Sequence, residues 1–166
     1  MNRERIHPET RIGHVHLKVA DIERALGFYR DLLGFEGDEA VFLSAGGYHH
    51  HIGLNTWAGR GAPPAPRNAA GLFHLAILYP ERRELARILR RLLDAGYPLD
   101  GASDHGVSEA LYLRDPDENG VELYWDRPRD EWPHDGCGGL AMVTRPLDLK
   151  GLLAELDGVE GRGDPG

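Results

Sequence analysis

The chain has 166 residues, a formal net charge of −8 and one cysteine, Cys137. That length gives one domain or two tightly paired modules, with enough apolar surface to fold without staples. A single cysteine excludes an intrachain disulfide and a CxxC metal site, and the acidic balance argues against nucleic acid, whose binders carry a basic face. No run approaches the roughly 18 apolar residues of a membrane span. The opening MNRERIHPET is charged and lacks an apolar core, so the expectation is a cytoplasmic protein with no signal peptide and no membrane contact. Nine histidines bias any metal site towards nitrogen and oxygen ligands.

In chain order, residues 1–11 read as an arm. Ile12 to Val19 alternates and reads as a strand. Asp21 fits an N-cap, and Ile22, Ala25, Leu26, Tyr29, Leu32 and Leu33 form one face of a helix that Gly34 ends. Strands are expected over 35–39, 40–44 and 49–55, the last two joined by Ala45-Gly46-Gly47. The first module is thus 12–57. Residues 58–70, AGRGAPPAPRNAA, are too rich in proline and glycine for an element and read as a linker.

The second module, 71–126, opens on the apolar run Leu72–Leu78, read as a strand covered on both faces. A helix starts at Pro80 or Glu81 and runs to Leu93, with Ala95-Gly96 as its stop. A weak strand over 99–102 and a better one over 108–113 follow. Asp115-Pro116-Asp117-Glu118-Asn119-Gly120 carries the strongest hairpin signal in the chain, with Asn-Gly at its end, and 121–125 closes the module. The tail, 127–166, reads as irregular through Gly139, with a short helix over 146–156 and a disordered last stretch of ten residues. The expected class is α+β: two paired βαβββ modules whose curved mixed sheet surrounds a metal cleft.

The modules echo each other. A shift of sixty residues superimposes His14 on His74, Leu17 on Ile77, Asp21 on Glu81 and Leu32 on Leu92 without a gap. His14, His16 and Lys18 share one face of their strand, which either meets solvent or does chemistry. His74 sits in the apolar GLFHLAIL, where an imidazole needs a hydrogen-bond partner or a ligand. Glu122, after the Asn119-Gly120 turn, supplies a carboxylate or simply faces water. Two histidines and one carboxylate with open positions are the ligand set of non-haem iron(II) oxygenases, and zinc or nickel sites use it too. His49-His50-His51 alternates, so at least one ring should face the same side as His14.

The paired βαβββ pattern, the opening GHVHLKVADIERALGFYRDLLGF and the closing DPDENGVELY resemble the vicinal oxygen chelate superfamily. That superfamily includes glyoxalase I, bleomycin-resistance proteins and extradiol ring-cleaving dioxygenases. Within it, FLSAGGYHHHIGLNTW and DHGVSEALYLRDPDENGVELYWDRP look most like the metal-bearing half of the catechol-2,3-dioxygenases. The resemblance implies His14 rather than His16 as first ligand, His74 as second and Glu122 as third. It implies His51 as acid/base, Tyr112, ten residues before Glu122, as hydrogen-bond donor to a catechol, and His105 as a further histidine of the site. Relatives of this kind usually carry two βαβββ pairs and this chain carries one, which points to a homodimer.

These readings make the chain a metal-dependent extradiol dioxygenase acting on a small catechol-like substrate. Iron(II) is the first choice of ion, with manganese(II), zinc(II) or nickel(II) as alternatives. A glyoxalase-like isomerase, with His51 as a fourth ligand, is the second reading. A non-enzymatic drug-binding protein of the bleomycin-resistance kind is the third.

Overall fold

The computed structural model describes residues 5–37 and 41–159. The chain is a mixed α+β protein that divides into two units, Met1–Ala62 and Pro63–Gly166.

The first unit contains β1 (Val15–Lys18), α1 (Ile22–Leu26), β2 (Phe42–Leu43) and β3 (Ile52–Asn55). The strand order is β1-β3-β2. β1 runs parallel to β3, with Val15 opposite Ile52 and His16 opposite Gly53. β2 runs antiparallel to β3. Alternation along β1 is as the sequence implies: Leu17 is buried while His16 and Lys18 are exposed. Asp21 caps α1, its Oδ1 accepting the Arg24 N–H at 2.8 Å.

The helix does not stay α to Leu33. Gly27–Leu32 is a π turn, in which the Leu33 N–H bonds the Phe28 carbonyl five residues back. The wider turn lets adjacent Phe28 and Tyr29 both face the core beside Ala25 and Leu26. Gly34, at φ 90°, ends the segment. The strand expected over 35–39 is one bridge, Glu36 to Ser44, with residues 38–40 outside the described residues.

The second unit contains β4 (Leu75–Leu78), α2 (Arg82–Asp94), β5 (Gly101–Asp104), β6 (Ser108–Arg114), β7 (Gly120–Asp126), β8 (Arg145–Pro146) and α3 (Leu149–Leu153). Its sheet has the order β4-β7-β6-β5-β8. β4 pairs parallel with β7, and the other pairs are antiparallel. Leu85, Ile88, Leu89 and Leu92 of α2 are buried together with Leu111, Leu113, Val121 and Leu123 of β6 and β7. Each such side chain contributes about 1.5–3 kcal/mol, enough to fix which face of the sheet meets the helix. Within β4 only Leu75 is buried, and Leu78, like Phe73 just before the strand, is exposed, so the run is not covered on both faces.

The turn after β6 is built on Asp115. Its carboxylate accepts the N–H of Asp117, the N–H of Asn119 and the side-chain amide of Asn119, each at 2.9 Å. Glu118, at φ 65°, takes the left-handed conformation that the Asn-Gly pair was expected to supply. Gly120 is freed for another purpose: a Cβ there would lie 2.2 Å from the Phe73 carbonyl oxygen and 3.0 Å from the His74 Cβ.

The tail is less irregular than its composition implies. A 3₁₀ turn spans Arg129–Glu131, β8 adds to β5, and α3 packs on α2 with Leu152 fully buried before a 3₁₀ turn to Val159. Pro146 is tolerated because β8 is the outermost strand, where a missing N–H breaks no ladder on the far side. Residues 160–166, most of the stretch expected to be disordered, lie outside the described residues.

Candidate active site

In the second unit, parallel pairing and one glycine bring the candidate residues together. Leu75 pairs with Val121 and Ala76 with Glu122, and Gly120 lets the residue before β4, His74, come close to β7. His74 Nε2 then stands 2.9 Å from Glu122 Oε2. Across the antiparallel pair, Tyr112 lies directly opposite Glu122, and its hydroxyl donates to Glu122 Oε1 at 3.0 Å. His105 Nε2 is 2.7 Å from the same hydroxyl. The four side chains form one string, His74, Glu122, Tyr112, His105. Tyr112 and Glu122 lie on the face of the sheet opposite Leu111, Leu113 and Leu123, which are buried with α2.

Burial, then the nearby charge of Glu122 and the hydrogen bond to it, push the Tyr112 phenol up to about 12. Tyr112 is therefore a hydrogen-bond donor that keeps its proton at neutral pH. A cleft of about 330 Å³ opens beside the string, lined by Phe73, His74, Gly101, Tyr112, Arg114 and Gly120 among others. That volume is at the lower end of the small-molecule range. Arg114 at its edge is held by Asp100 at 2.8 Å and by the Glu118 carbonyl.

In the first unit, His14 precedes β1 and is exposed. Its ring centroid lies 4.4 Å from that of His50. His50 Nδ1 is 2.7 Å from His49 Nδ1. Desolvation, then the neighbouring His14, lowers the His50 pKa. His51 is engaged elsewhere: its Nδ1 accepts the Ala45 N–H at 3.3 Å and its ring lies against Tyr48. The histidine beside His14 is thus His50. Alternation in the triplet leaves open which ring lies beside His14, and the ring positions give it.

The register also gives the first-unit counterpart of Glu122. Ala76 pairs with Glu122 as His16 pairs with Gly53, so a glycine stands where the second unit has its carboxylate. The His16 ring covers it, 3.1 Å from where a Cβ would be.

Among the described residues, no three His, Cys, Asp or Glu side chains stand together in a metal-binding arrangement. The pair in the second unit does fit an ion. His74 Nδ1 is buried without a partner, so Nε2 is the nitrogen it can offer. Two donors held at right angles on one ion, each at about 2.1 Å, stand about 3 Å apart, which is the spacing of His74 Nε2 and Glu122 Oε2.

The profile of the Glyoxalase/Bleomycin resistance protein/Dioxygenase superfamily matches residues 11–123. The chain belongs to this superfamily. Among curated relatives, it is 42% identical over 154 residues to a catechol-2,3-dioxygenase of Bacillus subtilis (strain 168), covering 90% of this chain and 53% of the relative. It is 32% identical over 120 residues to biphenyl-2,3-diol 1,2-dioxygenase 3 of Rhodococcus globerulus, covering 70% and 63%. The chain therefore spans between about half and two thirds of the length of these superfamily members.

Among solved structures, it is similar to a virulence protein of Salmonella typhimurium, with TM-score 0.53, 25% identity and coverage of 71% and 98%. A glyoxalase/dioxygenase from Nostoc punctiforme matches with TM-score 0.58 at 15% identity, covering 77% and 100%, which speaks for the superfamily fold alone. Among the described residues no helix is long and apolar enough to cross a membrane.

Proposed function

We propose that this chain is a metal-dependent extradiol ring-cleaving dioxygenase acting on a catechol-like diol. One observation carries the reading: the string His74–Glu122–Tyr112–His105, of which His74 and Tyr112 line a cleft of small-molecule size. Its support from relatives is the likeness to dioxygenases of catechol and biphenyl-2,3-diol. The proposed ligand set is His14, His74 and Glu122. A bound divalent ion, iron(II) in this reading, supplies Lewis acidity that eases diol deprotonation and an electron path between diol and dioxygen.

The remaining chemistry belongs to the side chains. Tyr112 keeps its proton and orients the diol by donating to an oxygen, while His105 Nε2 holds the Tyr112 hydroxyl in place. Proton transfer suits an imidazole. The family resemblance nominates His51, and we add His50 as a rival for that role because its ring lies against His14. Bound zinc or nickel with His51 as a fourth ligand would favour the isomerase alternative, with Nε2 as the nitrogen on offer because Nδ1 accepts the Ala45 N–H.

Protein loaded anaerobically with iron(II) and given catechols in air should release the yellow ring-fission product. No turnover across a broad catechol panel overturns the reading. The homodimer is part of the same proposal and is checked by the mass of the protein in solution.

A further inference from the structure

His105 lies in the loop between β5 and β6, its backbone N–H bonded to the Ser108 carbonyl at 2.8 Å. One ring nitrogen, Nε2, meets Tyr112. The other, Nδ1, lies 3.1 Å from the carbonyl oxygen of Val143, and the Val143 N–H returns a bond to the His105 carbonyl at 3.1 Å. Thr144 Oγ1 is 3.4 Å from the same Nδ1. We infer that the tail segment 143–146 is a positioning device that fixes the ring tautomer of His105. The inference rests on the reading above, in which His105 serves the diol site through Tyr112.

The chemistry is one of proton counting. A carbonyl oxygen only accepts, so the bond to Val143 puts the proton of a neutral His105 ring on Nδ1. Nε2 is left as a lone pair facing the Tyr112 hydroxyl. That hydroxyl has one proton, so an Nδ1–H ring draws it from Glu122 Oε1 to Nε2, whereas an Nε2–H ring leaves it directed at Glu122. The opposite tautomer would set a nitrogen lone pair against the Val143 carbonyl, while its Nε2–H would be accepted by the phenol oxygen. The tail thus decides whether His105 receives a hydrogen bond from Tyr112 or gives one to it.

The segment is braced on both sides. Along β5, Asp104 pairs with Arg145 and Ser103 with Pro146. Gly106, at φ +77°, closes the loop so tightly that a Cβ there would lie 3.0 Å from Pro133 and 3.4 Å from Val143. Beyond β8, Arg82 of α2 bonds the Gly151 carbonyl and the Glu155 carboxylate. The same guanidinium reaches Glu109, which is only 3% exposed and also holds Arg127. A buried carboxylate between two guanidiniums is costly to break, so the tail is anchored rather than lying loosely on the sheet. His105 and Tyr112 fall within residues 11–123 matched by the superfamily profile, whereas Val143 falls outside them.

The test reads the ring directly. Long-range proton–nitrogen spectra of the full chain, at about pH 8, above the ordinary histidine range, report which nitrogen of His105 carries the proton. The signal is assigned by its loss in His105→Gln. The expected result is an Nδ1–H ring in the unaltered chain that shifts towards Nε2–H in Val143→Pro, which removes the returned N–H and bends the segment. An Nε2–H ring in the unaltered chain overturns the inference, and so does an unchanged Nδ1–H ring in the variant.

Should Val143→Pro fail to fold, Leu152→Asp takes its place, with release of the tail confirmed by faster exchange of the Val143 amide. An unchanged ring in that released protein again overturns the inference. A chain that cleaves no catechol leaves the tautomer measurement intact, so the two ideas fail separately.

Discussion

The two units run the same backbone plan and differ in what they put on it. In each, the strand before the helix pairs parallel with the last strand of the motif, Val15 with Ile52 and Leu75 with Val121. In each, a histidine precedes the first of those strands, His14 in one and His74 in the other. At the next paired position the units diverge: Gly53 under an imidazole in the first, Glu122 bonded to His74 and Tyr112 in the second. A shared register preserves where side chains point, and single residues decide whether a position does chemistry.

The sharpest way to break this comparison is at the glycines. Gly120→Ala forces a Cβ against the Phe73 carbonyl, a backbone atom that cannot rotate away, so the second unit should lose about 4 kcal/mol or more in denaturant unfolding. Gly53→Ala meets only the movable His16 ring and should cost about 1 kcal/mol. Equal losses would mean the close approach of His74 to β7 does not depend on Gly120.

Next in size is Glu122→Gln, for which ring cleavage should fall at least about a hundredfold, roughly 2.7 kcal/mol of barrier. His16→Ala, over the matching glycine, should leave turnover within about threefold of the unaltered chain by the same conversion. Comparable losses would erase the division of labour between the units.

The histidine triplet gives a third contrast. His50→Gln should cost about a hundredfold in kcat, in the range of a lost acid/base group, and His51→Gln only a few-fold. The reverse order would return the role to His51.

The smallest effect concerns alkaline pH. Burial pushes the phenols of Tyr79, Tyr97 and Tyr112 up to about 12, against an ordinary value near 10. All three belong to the second unit. Because the folded values are raised, their contribution is complete below pH 10 and is lost as pH climbs towards 12, where the unfolded chain ionises first. Absorbance titration should show phenolate appearing late, together with loosening of the second unit. Free ionisation near pH 10 with the unit intact would contradict it.

Much of this is legible in the sequence. The histidine pair, the Asp21 cap, the α2 stripe and the tight turn between the strands that carry Tyr112 and Glu122 follow from the sixty-residue echo, from periods of 3.6 and 2 and from turn chemistry. Those signals are local. The π turn after Leu26 escapes them because adjacent Phe28 and Tyr29 are also compatible with an ordinary helix. That the His50 ring, rather than that of His49 or His51, lies beside His14 escapes them because alternation holds only inside a strand, and the triplet precedes β3. Glu118 in place of the Asn-Gly pair follows from the three bonds gathered by Asp115.

The sequence by itself determined the α+β class, the repeated strand–helix motif and the residue types of the site, since these depend on neighbours a few positions apart. The tertiary structure alone decided that Glu122 binds His74 and Tyr112 at once, that Gly120 exists for a close approach, and that a tail of little periodicity reaches back to His105. Those outcomes hang on contacts between residues up to 48 positions apart, as in His74 and Glu122. The free energy of such contacts comes from burial and register rather than from local propensity.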